Sequence, residues 1–421
     1  MSIRNTIVGF SQLQEAFPCT TEDTTGAPSS APELVTPTAE EQARLFNALA
    51  ELKSQQRHTD VLTAPNDQMA ALMQSFTAGV SNASGQVGAL PAGDVYEAKF
   101  DSQDWLRWAG SFFTWWRGIV RHDWLQASDI PESLANQARV AILGDWGTGL
   151  YGAPLCSHSI EHDQKGYQLL LHLGDVYYSG TEDEVQQRFL GLWPRNPGAV
   201  SRSLNSNHEM YTGGHAYFNL TLKQFGQAAS YFAMQNDYWI LVGLDTAYEE
   251  HNLTDDQVVW LSRIAANAGN RKIILFSHHQ PFARLEVQGD RLQEKLAALL
   301  TSRKIFAWYW GHEHRCVIYD RHAQWGLWGR CVGHSGFPYF RDDFQNLTKD
   351  NSGPHDTVWW KMEADGALPG GLFLDGPNPY LSGHESEYGP NGYMTLELSD
   401  NKLNEIVHAP DGQKLYQRQL S

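Results

Sequence analysis

The spacing of apolar residues changes once along the chain, and the change divides it. From Thr38 to Val120 they recur at helical intervals: Leu45, Phe46, Leu49 and Leu52, then Met69, Leu72, Met73, Phe76 and Val80. Each set forms one face of a 3.6-residue period. Thr38-Ala39-Glu40-Glu41 stands ahead of the first set and fits a capping box, in which hydroxyl and carboxylate satisfy orphan amides reciprocally. A third run, Trp105 to Val120, carries Trp108, Phe112, Phe113, Trp115, Trp116 and Ile119, with Arg107, Arg117 and Arg121 interrupting and flanking it. It reads first as an aromatic helix packing the N-terminal segment onto the next domain, being too short to span a bilayer. The other use is peripheral membrane contact, with Trp at headgroup depth and Arg on lipid phosphate. Ahead of these, residues 1–37 pass into Thr, Ser, Pro and Ala, a linker or arm.

From Ala138 short apolar runs of strand length alternate with helical ones. Val140–Leu143, Leu169–Leu173, Ala199–Leu204, Lys272–Phe276 and Ile305–Trp310 read as strands, and Tyr231–Met234 with Tyr238–Leu244 as a hairpin. Thr254-Asp255-Asp256-Gln257 caps a helix with Val258, Leu261 and Ile264 inward, and Leu292–Leu300 is a further helix. Cys316–Tyr319 and Trp325–Val332 look antiparallel. Residues 337–392, rich in Gly, Pro, Asn and Asp, predict an inserted loop region or lid. Alternation returns at Tyr393–Leu398 and leads into a terminal hairpin or meander. The division expected is an N-terminal arm and helical segment over 1–137 and one larger domain over 138–421.

Composition narrows the picture. A length of 421 residues with 42% hydrophobic and 12% aromatic content supplies more than one core. The formal charge of −17 argues against a broad nucleic-acid-binding surface and leaves an anionic ligand to be attracted locally, by metal or a few Arg residues. No leader-like apolar core opens the chain and no run approaches a membrane span, so a cytoplasmic location is expected. Cys19, Cys156, Cys316 and Cys331 lack metal-type spacing and read as thiols in a reducing compartment, although Cys316 and Cys331 lie on neighbouring strands and could pair.

The chemistry gathers at five strand ends: Gly144-Asp145, Gly174-Asp175, Asn207-His208, His278-His279 and Gly311-His312-Glu313-His314. Taken singly, each is an ordinary turn or loop. Together they place carboxylate, amide oxygen and imidazole where the C-terminal ends of neighbouring strands build sites. That donor set suits Fe, Mn or Zn better than Ca or Mg.

The series Gly144-Asp145-Trp146-Gly147, Gly174-Asp175-Val176-Tyr177-Tyr178, Asn207-His208-Glu209, His279-Gln280-Pro281 and Gly311-His312-Glu313-His314 resembles the calcineurin-like metallophosphoesterase superfamily. Gly147 in the first motif and a tyrosine three residues after Asp175 are most like the purple acid phosphatases. The resemblance implies an α+β, four-layer α/β/β/α sandwich of two mixed sheets, here with an added N-terminal helical segment. It implies two metal ions, iron with iron, zinc or manganese. Asp145, Tyr178 and His314 would hold the first, Asp175 would bridge, and Asn207, His279 and His312 would hold the second. His278 stands beside His279 as the alternative ligand. His208 would sit over the substrate and stabilise charge or protonate the leaving group, with Glu209 orienting the site. Arg284 and His334 are candidates for substrate contact. The activity implied is acid-phosphatase-like hydrolysis of phosphate monoesters by a metal-bound hydroxide, on a phosphorylated small molecule or lipid. The alternatives are a phosphodiesterase for a nucleotide or phospholipid, and a non-catalytic metal-binding interaction module.

Overall fold

The structure is a computed structural model describing residues 38–41, 43–44, 47–48, 67–83, 112, 115–341, 348–352, 354–381 and 383–421. Two mixed β-sheets form its centre. Strands β1 (Glu132–Ser133), β5 (Phe232–Gln235), β6 (Trp239–Gly243), β7 (Lys272–Ser277), β8 (Ile305–Trp310), β9 (Cys316–Arg321), β10 (Trp328–Val332), β11 (Thr348–Ser352), β12 (Val358–Met362) and β13 (Gly371–Asp375) build the larger sheet. Its spatial order is β1-β5-β6-β7-β8-β10-β9-β13-β12-β11. The smaller sheet takes β2 (Gln137–Leu143), β3 (Leu169–His172), β4 (Val200–Ser203), β14 (Tyr393–Ser399), β15 (Lys402–His408) and β16 (Lys414–Gln419) in the order β16-β15-β14-β2-β3-β4.

Continuous apolar runs become strands buried on both faces, as parallel segments covered by crossover helices must be. In β2, Val140 and Ile142 face the other sheet and meet Leu241, Phe276 and Tyr309, while Ala141 and Leu143 face outward onto the helix Gly152–Glu161. In the larger sheet, Leu275, Ile305 and Trp308 pack outward against the helices Asp255–Ala266 and Asp290–Lys295. Four layers result, helix, sheet, sheet, helix, which is the architecture expected. Strands β2-β3-β4 and β6-β7-β8 run parallel within their own sheets, and the corners that follow them meet across the seam. A buried ion pair also crosses it. Arg330 on β10 donates from Nε and Nη2 to Glu405 on β15 at 2.7–2.9 Å, and Tyr309 donates to the same carboxylate at 3.2 Å.

The capping readings hold at atomic detail. Thr38 N–H donates to Glu41 at 2.7 Å while Glu41 N–H donates to Thr38 Oγ1 at 3.3 Å, and Gln257 N–H donates to Thr254 Oγ1 at 3.2 Å. The helix Gln68–Ala83 buries Met69, Leu72 and Met73 against Phe112, and Trp115, Trp116 and Ile119 pack on the same cluster. Residues 1–37 and most of 105–120 lie outside the described residues.

Two expectations change, and the thiol reading of Cys316 and Cys331 holds. Within 337–392 the chain is not all loop, because β11, β12 and β13 extend the larger sheet as antiparallel strands. The helix expected at 292–300 is divided at Leu296 into Asp290–Lys295 and Ala297–Thr301. Cys316 and Cys331 are free thiols. They sit on paired strands but face opposite sides of the sheet, Cys316 into the core between the sheets and Cys331 towards the outer helices.

Candidate metal centre

Three of the five corners are built where a strand ends in a tight left-handed turn. Asp145, Asp175, His312 and His314 all have positive φ, between 51° and 74°, a conformation uncommon outside glycine and typical of over-determined functional corners. Neighbouring glycines make room. A Cβ at Gly333 would stand 2.4 Å from Asp145 Oδ2 and one at Gly311 2.8 Å from the same atom. Asp145 is fixed by the backbone N–H of His312, which donates to both its oxygens at 2.9 Å.

Asp175 lies between two groups of donor atoms. On one side its Oδ2 is 3.7 Å from His314 Nε2, which also lies 3.7 Å from Asp145 Oδ1. On the other side its Oδ1 is 3.3 Å from His278 Nε2. That nitrogen also faces Asn207 Oδ1 at 3.0 Å and His312 Nδ1 at 3.2 Å. The surroundings fix what these atoms are. His278 Nδ1 meets the Leu173 carbonyl at 2.8 Å, so it carries the proton and Nε2 presents a bare lone pair. Asn207 donates its amide to Tyr211 Oη at 2.9 Å, which turns its oxygen inward. A carboxylate oxygen, an amide oxygen and a bare imidazole nitrogen therefore converge at one place. Such an arrangement is repulsive by itself and fits a cation. The two groups, Asp145-Asp175-His314 and Asp175-His278-His312, each hold their ligand atoms within 4.8 Å of one another.

Charge is distributed accordingly. Burial and the adjacent Asp175 raise the Asp145 carboxyl well above its usual range. Burial also acts against the charge of Asp175, but the His278, His208 and His314 rings around it hold its carboxyl well below the usual range. Burial drives His278 down to about 4 and His312 far below the ordinary imidazole value, so both present neutral, ligand-competent rings.

His208 follows Asn207 on the helical turn Asn207–Met210, which Ser206 caps by accepting the His208 N–H at 3.2 Å. Its Nδ1 is engaged by the Tyr178 carbonyl at 2.5 Å, and its ring lies 4.2 Å from that of Tyr177 and 4.8 Å from that of Tyr211. The ring is thus fixed with Nε2 as its remaining polar atom. Glu209 bonds Ser206, and burial pushes its carboxyl up to about 8. Glu313 accepts the Trp310 indole N–H at 2.7 Å and so braces the strand rather than the site.

Two of the expected ligands face away from these groups, and the neighbouring residue faces in. Tyr177, not Tyr178, reaches the first group: its hydroxyl is 2.6 Å from His314 Nε2 and 3.2 Å from Asp175 Oδ2. Tyr178 instead sets its backbone between Glu184 and His208 and its ring 5.9 Å from the Arg188 guanidinium. His278 takes the place expected for His279 beside Asp175, Asn207 and His312. The ring of His279 turns to Thr246, 2.9 Å from Nδ1, because consecutive residues leaving a strand point to opposite sides. Arg284 pairs with Asp365 at 2.6 Å. His334 is buried with both ring nitrogens unpartnered, and burial lowers it to about 3. It belongs to none of the groups that could hold metal among the described residues. His251 and Thr246, on the loop after β6, escaped the sequence reading. The one available signal was Leu244-Asp245, a further strand ending in a carboxylate.

A two-sheet sandwich with carboxylate, amide and imidazole corners converging at its seam is the framework of the metallophosphoesterases. Residues 138–316 match the family described as calcineurin-like phosphoesterase. Among solved structures, a purple acid phosphatase from seeds of yellow lupin (Lupinus luteus) is similar at 14% identity, over 69% of this chain and 54% of that one, with a TM-score of 0.49. This chain thus spans about half the length of the lupin protein. PhoD is similar at 10% identity over 69% of both chains, TM-score 0.42. Vacuolar protein sorting 29 of Cryptosporidium parvum is similar at 12% identity over 67% of this chain and 97% of that one, TM-score 0.33. No curated protein matches by sequence. The match covers residues 138–316, and β14 to β16, which lie beyond it, complete the smaller sheet.

Proposed function

We propose that this protein hydrolyses phosphate monoesters at a two-cation centre in which Asp175 is shared, with Asp145, His314 and Tyr177 on one side and Asn207, His278 and His312 on the other. The observation that carries the reading is the convergence of Asp175 Oδ1, Asn207 Oδ1 and His312 Nδ1 on the bare His278 Nε2, at 3.0–3.3 Å. Bound cations would supply Lewis acidity toward phosphoryl oxygens. The chain's own residues do the positioning. Asp145 and Asp175 bring negative charge into a buried corner, while Leu173 and Tyr211 set His278 and Asn207 with their lone pairs inward. His208, held by the Tyr178 carbonyl, is oriented to hand a proton to a leaving alkoxide or to stabilise developing charge.

Turnover of p-nitrophenyl phosphate by the full chain, supplied with Mn, Fe or Zn, tests this. Asn207→Ala and His208→Ala are each expected to lose activity by about 100-fold or more. Full activity in either variant rejects the mechanism. Absence of both turnover and bound metal in the unaltered chain points to a binding module. Faster turnover of bis-p-nitrophenyl phosphate transfers the assignment to diesters.

A further inference from the structure

Beyond the two groups that share Asp175 lies a third, made of imidazoles alone. His251, His279 and His312 each offer a ring nitrogen, and these atoms lie within 4.8 Å of one another. The rings are close: His251 to His279 is 3.9 Å between centroids, His279 to His312 4.7 Å and His251 to His312 5.2 Å. His279 is 1% exposed, and with Nδ1 engaged by Thr246 its Nε2 is buried and without any hydrogen-bond partner. A buried imidazole nitrogen left unpaired costs free energy unless something accepts its lone pair or its proton. The neighbouring His251 and His312 rings lie close to it, yet neither makes a hydrogen bond to this nitrogen.

His251 is held there deliberately by its backbone. It sits in the left-handed region at φ 51°, on the loop that follows β6. Strand β6 runs parallel to β7, so this loop opens on the same edge as the corner bearing His278 and His279. Thr246 closes the arrangement, because its Oγ1 also accepts the backbone N–H of His279 at 3.1 Å and so fixes that ring from both its backbone and its side chain.

We propose that His251, His279 and His312 form an additional cation site for a borderline divalent metal of the zinc class, abutting the Asp175-centred pair. Three imidazoles and no carboxylate are a donor set for such a metal, with a fourth position left for solvent or an anion. An imidazole has nitrogens on two sides of its ring, and His312 would serve both this site and the one next to it as an imidazolate, its ring proton passing to solvent as the second cation binds. The inference goes beyond the phosphoesterase reading and shares only His312 with it.

Zinc bound per chain decides the matter. The full chain is stripped with chelator and brought to equilibrium dialysis against buffered free Zn²⁺, beside His251→Asn and His251→Gly, both of which tolerate the left-handed backbone. Circular dichroism checks that each variant keeps the fold. Each variant is expected to bind one equivalent less than the unaltered chain. With Co²⁺ as probe, the visible absorption of a four-coordinate site should be lost from both. Equal zinc content in the unaltered chain and a folded variant overturns the proposal. So does a capacity of two equivalents or fewer in the unaltered chain with Asp175→Asn removing the very equivalent that His251→Asn removes. The total that remains after the His251 substitution reports separately on the Asp175-centred pair. That pair can therefore fail while the imidazole site stands, and the reverse.

Discussion

Tyr177 and Tyr178 are neighbours in sequence, yet one reaches the metal corner and the other lies beneath it. Tyr177→Phe should weaken metal retention about 10-fold or more, the scale of losing a group that touches a ligand, and Tyr178→Phe should leave it near the unaltered value; competition with a chromophoric chelator measures both. The same contrast applies to the paired histidines: His278→Ala should lower p-nitrophenyl phosphate turnover more than His279→Ala. The residue types at these corners were legible from the chain, because an apolar run followed by Asp, Asn or His is a local pattern. Their directions were not. Side-chain alternation holds along a strand and is reset where φ turns positive, as it does at Asp175 and at both His312 and His314. Counting three residues on from Asp175 selects Tyr178 where Tyr177 faces the carboxylate, and counting two back from Pro281 selects His279 where His278 faces it. A titration prediction belongs at this scale as well. His408, buried and stacked on Tyr393 with 4.6 Å between rings, is pushed down to about 4 by burial. The unfolded chain takes up that proton from about pH 6.5 downwards, while the folded chain resists until about pH 4. This residue thus makes no penalty above pH 6.5, and stability declines across the window below it by at most about 1.4 kcal/mol per pH unit. Urea midpoints of His408→Gln should fall less steeply than those of the unaltered protein over that range.

At the scale of elements, the strand order from Ala138 to Val332 could be read directly, since buried parallel strands are unbroken apolar runs, and Thr254 announces its helix, whereas the helix Gly152–Glu161 was not read. Strands β11 to β13 were hidden for a physical reason. Val358–Met362 and Gly371–Asp375 are short, and the Gly, Pro and Asp around them dominate any window wide enough to show a period. Pairing with β9 in the larger sheet, not local propensity, makes strands of them. The ion pair Arg330–Glu405, both side chains fully buried, was equally invisible because its members lie on strands of different sheets. Glu405→Ala leaves a guanidinium without its counter-charge in the core and should cost about 3–5 kcal/mol. Replacing both partners with Met and Leu should recover most of that loss. Chemical denaturation followed by tryptophan fluorescence separates the two cases.

On the scale of the whole molecule, the donor atoms are divided between the sheets. Asp145, Asp175 and Asn207 follow β2, β3 and β4, whereas His278, His312 and His314 follow β7 and β8. A cation held by both sets fastens one sheet to the other, and binding to the folded state alone adds RT ln(1 + [L]/Kd), about 2.7 kcal/mol at a hundredfold excess over Kd. Chelation should therefore lower the thermal midpoint, and returning Mn or Zn should restore it; a midpoint indifferent to chelator would show that no cation bridges the seam. The place of β14 has a consequence for how the protein is made. Met394 and Leu396 pair with Ile142 and Val140, so the strand that ends in Asp145 acquires one of its two neighbours only from the far end of the chain. During synthesis β2, β3 and β4 leave the ribosome with that edge open, and this half-sheet waits on the arrival of residues 393–399. The nascent protein is thus kept from assembling its metal corner early, and an interrupted chain that stops short of β14 presents an adhesive apolar edge in its place.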